Sequence, residues 1–124
     1  MNSFNVLAEF EKEFKRLRKK YKTLDDDFKK FKKVLLATPT GVGNNFIIIH
    51  STKTIKVVKA RMACRTLRDR SLRVIYAYLP AEASAQAGFE QKQHIDFIEI
   101  YFKGDKENED RERIREYLKA LTKL

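Results

Sequence analysis

Residues 72–79 read Leu-Arg-Val-Ile-Tyr-Ala-Tyr-Leu, a run of branched and aromatic side chains interrupted by one charge. Such a run predicts a strand. Side chains alternate across a strand, so Val74, Tyr76 and Tyr78 face a core and Arg73 faces the opposite side. Three further runs share this chemistry: Phe46–His50, Thr54–Arg61, and Ile95–Phe102, which reads Ile-Asp-Phe-Ile-Glu-Ile-Tyr-Phe. Between them, Pro39-Thr40-Gly41-Val42-Gly43-Asn44-Asn45 is a turn-rich loop, and Pro80–His94, small and polar, predicts a flexible connection. Ser3–Leu7 is a candidate for a short preceding edge strand.

Outside these runs the apolar period changes from two to between three and four. Leu7, Phe10, Phe14, Leu17 and Tyr21 fall on one helical stripe, as do Leu24, Phe28, Phe31 and Leu35 after the break at Lys22-Thr23. Asp25, Asp26 and Asp27 open the second helix, where the helix dipole favours carboxylates, with Thr23 as N-cap and Pro39 as stop. So short a break predicts a helical hairpin. Glu107–Leu124 carries Ile114, Tyr117, Leu118 and Leu121 at helical spacing, with acids at its start and Lys119 and Lys123 at its end. The expected fold is α+β: a small antiparallel sheet of three to four strands against an N-terminal helical hairpin and a C-terminal helix, in the order (β)ααβββα. Residues 1–124 form one domain with no internal repeat.

The composition fits such a domain. Of 124 residues, 43% are hydrophobic and 11% aromatic, enough for a core. The single cysteine, Cys64, excludes an intramolecular disulfide framework and a multi-cysteine zinc site. The longest apolar run, Phe46 to Ile49, is far short of the ~20 residues that span a bilayer. Near the N-terminus, Glu9, Glu11, Lys12 and Glu13 interrupt any secretory apolar core. The expectation is a soluble cytoplasmic protein with no membrane partner.

The charge is uneven. Lys and Arg number 27 against 17 Asp and Glu, a net of +10. Residues 1–38 hold eleven basic and six acidic side chains, residues 39–80 eight basic and the lone Asp69, and residues 81–124 eight basic and ten acidic. Cations gathered without neutralising partners point to a polyanionic ligand. Strand alternation then gathers Lys59, Arg61, Arg73, Tyr101 and Lys103 on one sheet face, with Glu99 on the same face and Lys106 just beyond. Lys56 points the other way with Val58 and Ala60. Cations around an aromatic ring suit phosphates and a stacked base.

Other chemistry is thin. His50 and His94 are too few for a histidine–cysteine metal site, and Gly41-Val42-Gly43 lacks the Gly-Lys-Ser/Thr continuation of a phosphate loop. Cys64 lies among Arg61, Arg65 and Arg68, which favour a thiolate, but no paired base is in view. No metal or other cofactor is expected.

The segments Glu9-Phe10-Glu11-Lys12-Glu13-Phe14-Lys15-Arg16-Leu17, Lys59-Ala60-Arg61, Leu72-Arg73-Val74-Ile75-Tyr76 and Ile100-Tyr101-Phe102-Lys103-Gly104-Asp105-Lys106-Glu107 occur in this order over nearly the whole chain. Together they resemble the RelE/ParE superfamily of bacterial toxins, especially its RelE and HigB branches. The resemblance implies the toxin of a type II toxin–antitoxin system, neutralised by a cognate antitoxin. It further implies a metal-independent, ribosome-dependent mRNA endoribonuclease; the ParE alternative is a non-catalytic inhibitor of DNA gyrase, and a third possibility is an inactive relative that only binds RNA. By that resemblance the catalytic residues are Lys59, Arg61, Arg73 and Lys106, and Lys56, Arg65, Tyr101 and Lys103 contact RNA. Lys59 is the expected base, its pKa lowered by neighbouring cations. Arg61 and Arg73 hold the phosphate, Lys106 or Lys103 serves the leaving oxygen, and Tyr101 stacks a base. Glu99 is the rival base, or else an ion-pair partner of Lys59 or Arg73. Asp69-Arg70-Ser71-Leu72 stands where family members often carry glycines, and Tyr117 is the one aromatic residue after Lys106.

Overall fold

A computed structural model describes residues 3–67, 71–80 and 93–122. The element order is β1 (Ser3–Val6), α1 (Ala8–Lys20), α2 (Leu24–Ala37), β2 (Phe46–Ser51), β3 (Lys56–Ala63), a 3-10 turn (Arg65–Leu67), β4 (Ser71–Leu79), β5 (His94–Phe102) and α3 (Arg111–Thr122). The strands form one sheet in the order β1-β5-β4-β3-β2. It has five strands, not three to four, and is mixed, because β1 runs parallel to β5 while every other pair is antiparallel. The alternation of Ser3–Leu7 marks a strand, but pairing with the last strand of the chain is a long-range event that local pattern does not encode. Most of the Pro80–His94 connection lies outside the described residues, and its final residue, His94, already belongs to β5.

Both sheet faces are covered. On one, Phe10, Leu17, Leu24, Phe28, Phe31 and Leu35 of α1 and α2 pack on Val58, Ala60, Val74, Tyr76, Phe97 and Ile100, as their spacing predicts. Phe97 is the hub, with ring centroids of Phe10 and Phe28 at 5.6 and 4.9 Å. The Tyr76 hydroxyl, buried here, donates to the Pro39 carbonyl at 2.7 Å. Leu7 departs from the predicted stripe: α1 starts at Ala8, and Leu7 packs on the other face with Val57, Ile75, Ile98 and α3's Ile114, Tyr117, Leu118 and Leu121.

Local chemistry sets the ends of these elements. Thr23 precedes α2, but its hydroxyl donates to Asp27 at 2.7 Å and does not cap the helix backbone. Asp27 is buried and also accepts from the Arg65 backbone N–H at 3.0 Å, so this acid pins the turn after β3 onto α2 as well as serving the helix dipole. Gly41 has φ +73°, and a β-carbon there would overlap the ring of Phe46, which stacks on Phe31. Asp110 caps α3 by accepting the Arg113 N–H at 3.0 Å.

The two outer strands differ. β1 pairs with β5 only through Phe97, leaving the later part of that edge bare. There Glu13 of α1 accepts the Ile100 N–H at 3.3 Å, and Arg113 of α3 donates to the Ile98 carbonyl at 3.0 Å and to both Glu13 oxygens at 2.8 and 2.9 Å. This bidentate pair ties the two helical layers together around the sheet edge, and Glu13 raises the guanidinium's pKa. Among the described residues, β2 pairs only with β3.

Candidate functional site

The cross-strand register assembles most of the expected residues. Arg61 on β3 lies opposite Arg73 on β4, and Arg73 opposite Tyr101 on β5. In the adjacent row Lys59 lies opposite Ile75, and Ile75 opposite Glu99. All of these except Ile75, a core residue, were expected on one face, and it is the face that α3 covers. A bulge in β5 places Ile98 on the same face as Glu99, where alternation alone puts it opposite.

Arg61 is exposed, and Arg73 anchors its guanidinium on Ser71, at 2.9 Å to Oγ and 3.3 Å to the carbonyl. Burial and then the field of Arg61 lower the Arg73 pKa, so the Arg73 charge is the more costly for its neighbour. Neither has a carboxylate partner among the described residues. An anion between them would relieve both.

The other cations are engaged. After β5 the chain turns back over the sheet face, and Lys106 Nζ donates to Glu99. Glu99 is fully buried, and its other oxygen accepts the Asp110 N–H at 2.8 Å. The rival base is thus an ion pair, with Lys106 as partner and not Lys59 or Arg73. Lys59 donates to Glu109 at 3.0 Å. Burial alone would lower the Lys59 pKa, but Glu109 and the field of Tyr101 outweigh it and hold the ammonium above its ordinary value. This reverses the lowered pKa expected from neighbouring cations, because the nearest charge is an acid.

Tyr101, expected to offer its ring to a base, is 5% exposed, with Lys106 Nζ 5.5 Å from the ring centroid. Its hydroxyl is buried and makes no hydrogen bond of ordinary geometry among the described residues, and burial, with Glu109 and Glu99 behind it, raises its pKa against the opposing charge of Lys59. Lys103 is exposed in the turn after β5. Two expected RNA contacts do not join the site. Lys56 opens β3 on the α2 side of the sheet, and Arg65 is bound to Asp27 at 3.1 Å and Asp26 at 3.5 Å.

Two features escaped the sequence reading. Glu109, read there only as a helix-start acid, is the counter-ion of Lys59. His94 is buried between Ser3, whose Oγ lies 2.6 Å from Nδ1, and Asp96, whose Oδ1 lies 2.7 Å from Nε2; Tyr117 donates to the other Asp96 oxygen at 2.5 Å. The signal was the spacing of His94 and Asp96, two residues apart and so on one strand face. Tyr117 thereby anchors α3 to β5. His50 is exposed on β2, and Cys64 is buried in the core 3.9 Å from the Thr23 hydroxyl.

The acids give a pH dependence. For both Glu109 and Asp27, burial raises the pKa, but hydrogen bonds outweigh it: at Glu109 a backbone bond and Lys59, at Asp27 Thr23 and the Arg65 N–H. Both net pKa values are lowered, so on acidification the unfolded chain takes up protons before the native one does. Their stabilisation is present above the ordinary values of 4.5 and 3.8 and is lost as pH falls through the lower native values. Thermal melts on a descending pH series should show Tm falling below pH 4.5, and less steeply in Glu109→Gln and Asp27→Asn. Unchanged slopes in both variants would contradict these assignments.

Comparison of the chain with protein-family models, with curated proteins and with solved structures finds no match. Among the described residues, no helix is long and apolar enough to cross a membrane.

Proposed function

We propose that the protein is a RelE-like toxin of a type II toxin–antitoxin system, a metal-independent endoribonuclease that cuts mRNA on the ribosome. The observation that carries this reading is the pair of facing guanidiniums, Arg61 and Arg73, with Lys59 in the next row of the same face. A phosphodiester seated between the arginines places its developing charge where two cations already repel each other. The substrate 2′-oxygen then forms a bond to phosphorus while the bond to the 5′-oxygen breaks, leaving a cyclic phosphate and a 5′-hydroxyl. The 2′-proton must go to a base and another must reach the leaving oxygen.

The roles differ from those expected, and Glu109 joins them. Lys59, held charged by Glu109, serves as a phosphate ligand. Glu109, whose lowered pKa leaves it ionised at neutral pH, accepts the 2′-proton once phosphate replaces it beside Lys59. Lys103 and Lys106 remain the candidates to serve the leaving oxygen, and Lys106 reaches it only by releasing Glu99. The engagement of Lys59 by the partly buried Glu109 and of Lys106 by the buried Glu99 favours the second reading, a non-catalytic protein of the ParE kind or an RNA-binding relative. Inducing the protein alone and mapping mRNA 5′ ends separates them. Cuts at fixed codon positions are the expected result, and intact mRNA with gyrase-type DNA damage would overturn it.

A further inference from the structure

At the opposite end of β5 from Tyr101, a chain of hydrogen bonds joins β1, β5 and α3. Ser3 Oγ lies 2.6 Å from His94 Nδ1, His94 Nε2 lies 2.7 Å from Asp96 Oδ1, and the Tyr117 hydroxyl donates to Asp96 Oδ2 at 2.5 Å. A carboxylate only accepts, so Nε2 carries the proton shared with Asp96 and the Nδ1 lone pair faces the serine hydroxyl. Burial, and then Asp96, hold the Tyr117 phenol far above its ordinary pKa, so it stays a donor to that carboxylate. Anchoring α3 needs only Tyr117 and Asp96, which leaves the Ser3–His94 contact without a purpose.

Exposure and backbone direction supply one. His94 and Asp96 are 3% and 4% exposed, whereas Ser3 is only partly buried, so the hydroxyl can be reached from solvent while its base is shielded. β1 is an edge strand, and the N–H groups of Ser3 and Leu7 bond the carbonyls of Gln93 and Phe97. Alternation therefore turns the Phe4 N–H outward, away from β5. In hydrolases with a serine nucleophile, the N–H of the residue after the serine is an oxyanion donor. We propose that Ser3, His94 and Asp96 form a second reactive site, an acyl-transfer centre for carboxylic esters, with Ser3 as nucleophile and His94 as base. Asp96 and Tyr117 are positioning residues. The partial burial of Ser3 limits the acyl group to a small one.

Ser3 Oγ forms a bond to the ester carbonyl carbon as its proton passes to His94 Nδ1, and the carbonyl π electrons move onto the oxygen beside the Phe4 N–H. Collapse breaks the bond to the alkoxy oxygen, which leaves with the proton from His94. Water then adds to acyl-Ser3 by the same route, releasing the carboxylic acid and restoring the serine. None of this depends on the ribonuclease reading, because no group of the phosphate site takes part.

The test treats the full chain with p-nitrophenyl acetate and with a fluorophosphonate, and locates the label by peptide mass spectrometry. The expected result is a burst of p-nitrophenolate and a phosphonylated Ser3. Ser3 should react ~10²-fold or more faster than the exposed Ser51 of the same molecules, given what a positioned base contributes. That internal comparison is decided without any variant having to fold. Ser3→Ala should abolish the burst. Tyr117→Phe should lower kcat about tenfold and leave KM unchanged, as for one lost hydrogen bond to a charged group. Ser3 reacting no faster than Ser51, label spread over lysines and tyrosines, or a burst that survives Ser3→Ala would each overturn the proposal, and an unchanged kcat in Tyr117→Phe would overturn the positioning role.

Discussion

Arg73→Ala is expected to lower the proposed mRNA cleavage by ~10²-fold or more while leaving the protein folded, given what positioned charge-stabilising groups contribute. Arg73 is the central member of its row, opposite Arg61 on one side and Tyr101 on the other. Among the described residues its guanidinium bonds only Ser71, on its own strand, so its loss removes no tie to another element among them. It also removes the positive field acting on Arg61. Melting temperature should therefore hold or rise slightly while cutting collapses. Lys59→Ala should cost ~10²-fold as well, with some loss of stability, because Glu109 would be left without its hydrogen-bonded partner. Purified variants assayed on translating ribosomes, with parallel melts, decide the matter; near-normal cleavage in both would refute the site.

Lys106→Ala should have the largest effect on stability, about 3 kcal/mol. Removing one partner of a buried pair strands the other charge, at a typical cost of ~3–5 kcal/mol. Among the described residues Glu99, with no solvent exposure, keeps the Asp110 N–H when Lys106 is gone, and Lys106 itself is 38% exposed, so water can enter in its place; both put the cost at the lower limit. The double variant Glu99→Leu, Lys106→Met removes both charges and should recover most of the loss, since a well-packed apolar pair often matches a buried ion pair. Chemical denaturation of the two single variants and the double gives the coupling directly. If Lys106→Ala melts like the parent yet loses cleavage, Lys106 acts on substrate and not on Glu99.

The sequence was legible wherever a periodicity had a single interpretation. The stripes of α1 and α2, the strands from β2 to β5 and the gathering of Lys59, Arg61 and Arg73 all follow from spacing, because a buried face forces the register of whatever packs on it. What escaped depends on contacts between distant residues. The parallel pairing of β1 joins Ser3 to His94, and the partner of Lys59 is Glu109, fifty residues on. Charge counting treated the basic face as open because it could not see the acidic start of α3 folding back onto it. The same blindness produced the wrong sign for the Lys59 pKa. Tyr101 was assigned to the correct face, but its burial depends on where residues 103–110 run, and no alternation rule covers a turn.

The bulge in β5 carries a consequence of a different kind. Ile98 is the extra residue, and because it bulges onto the face of Glu99, the acid stays opposite Ile75 among the cations while Phe97 stays opposite Tyr76 in the phenylalanine-rich layer. Were Ile98 paired in plain alternation, with Phe97 held in place, the same glutamate would face the phenylalanine-rich layer, where neither Lys106 nor the start of α3 could reach it. Whether Ile98 bulges or pairs thus decides whether Lys106 is neutralised, with no change in any charged residue.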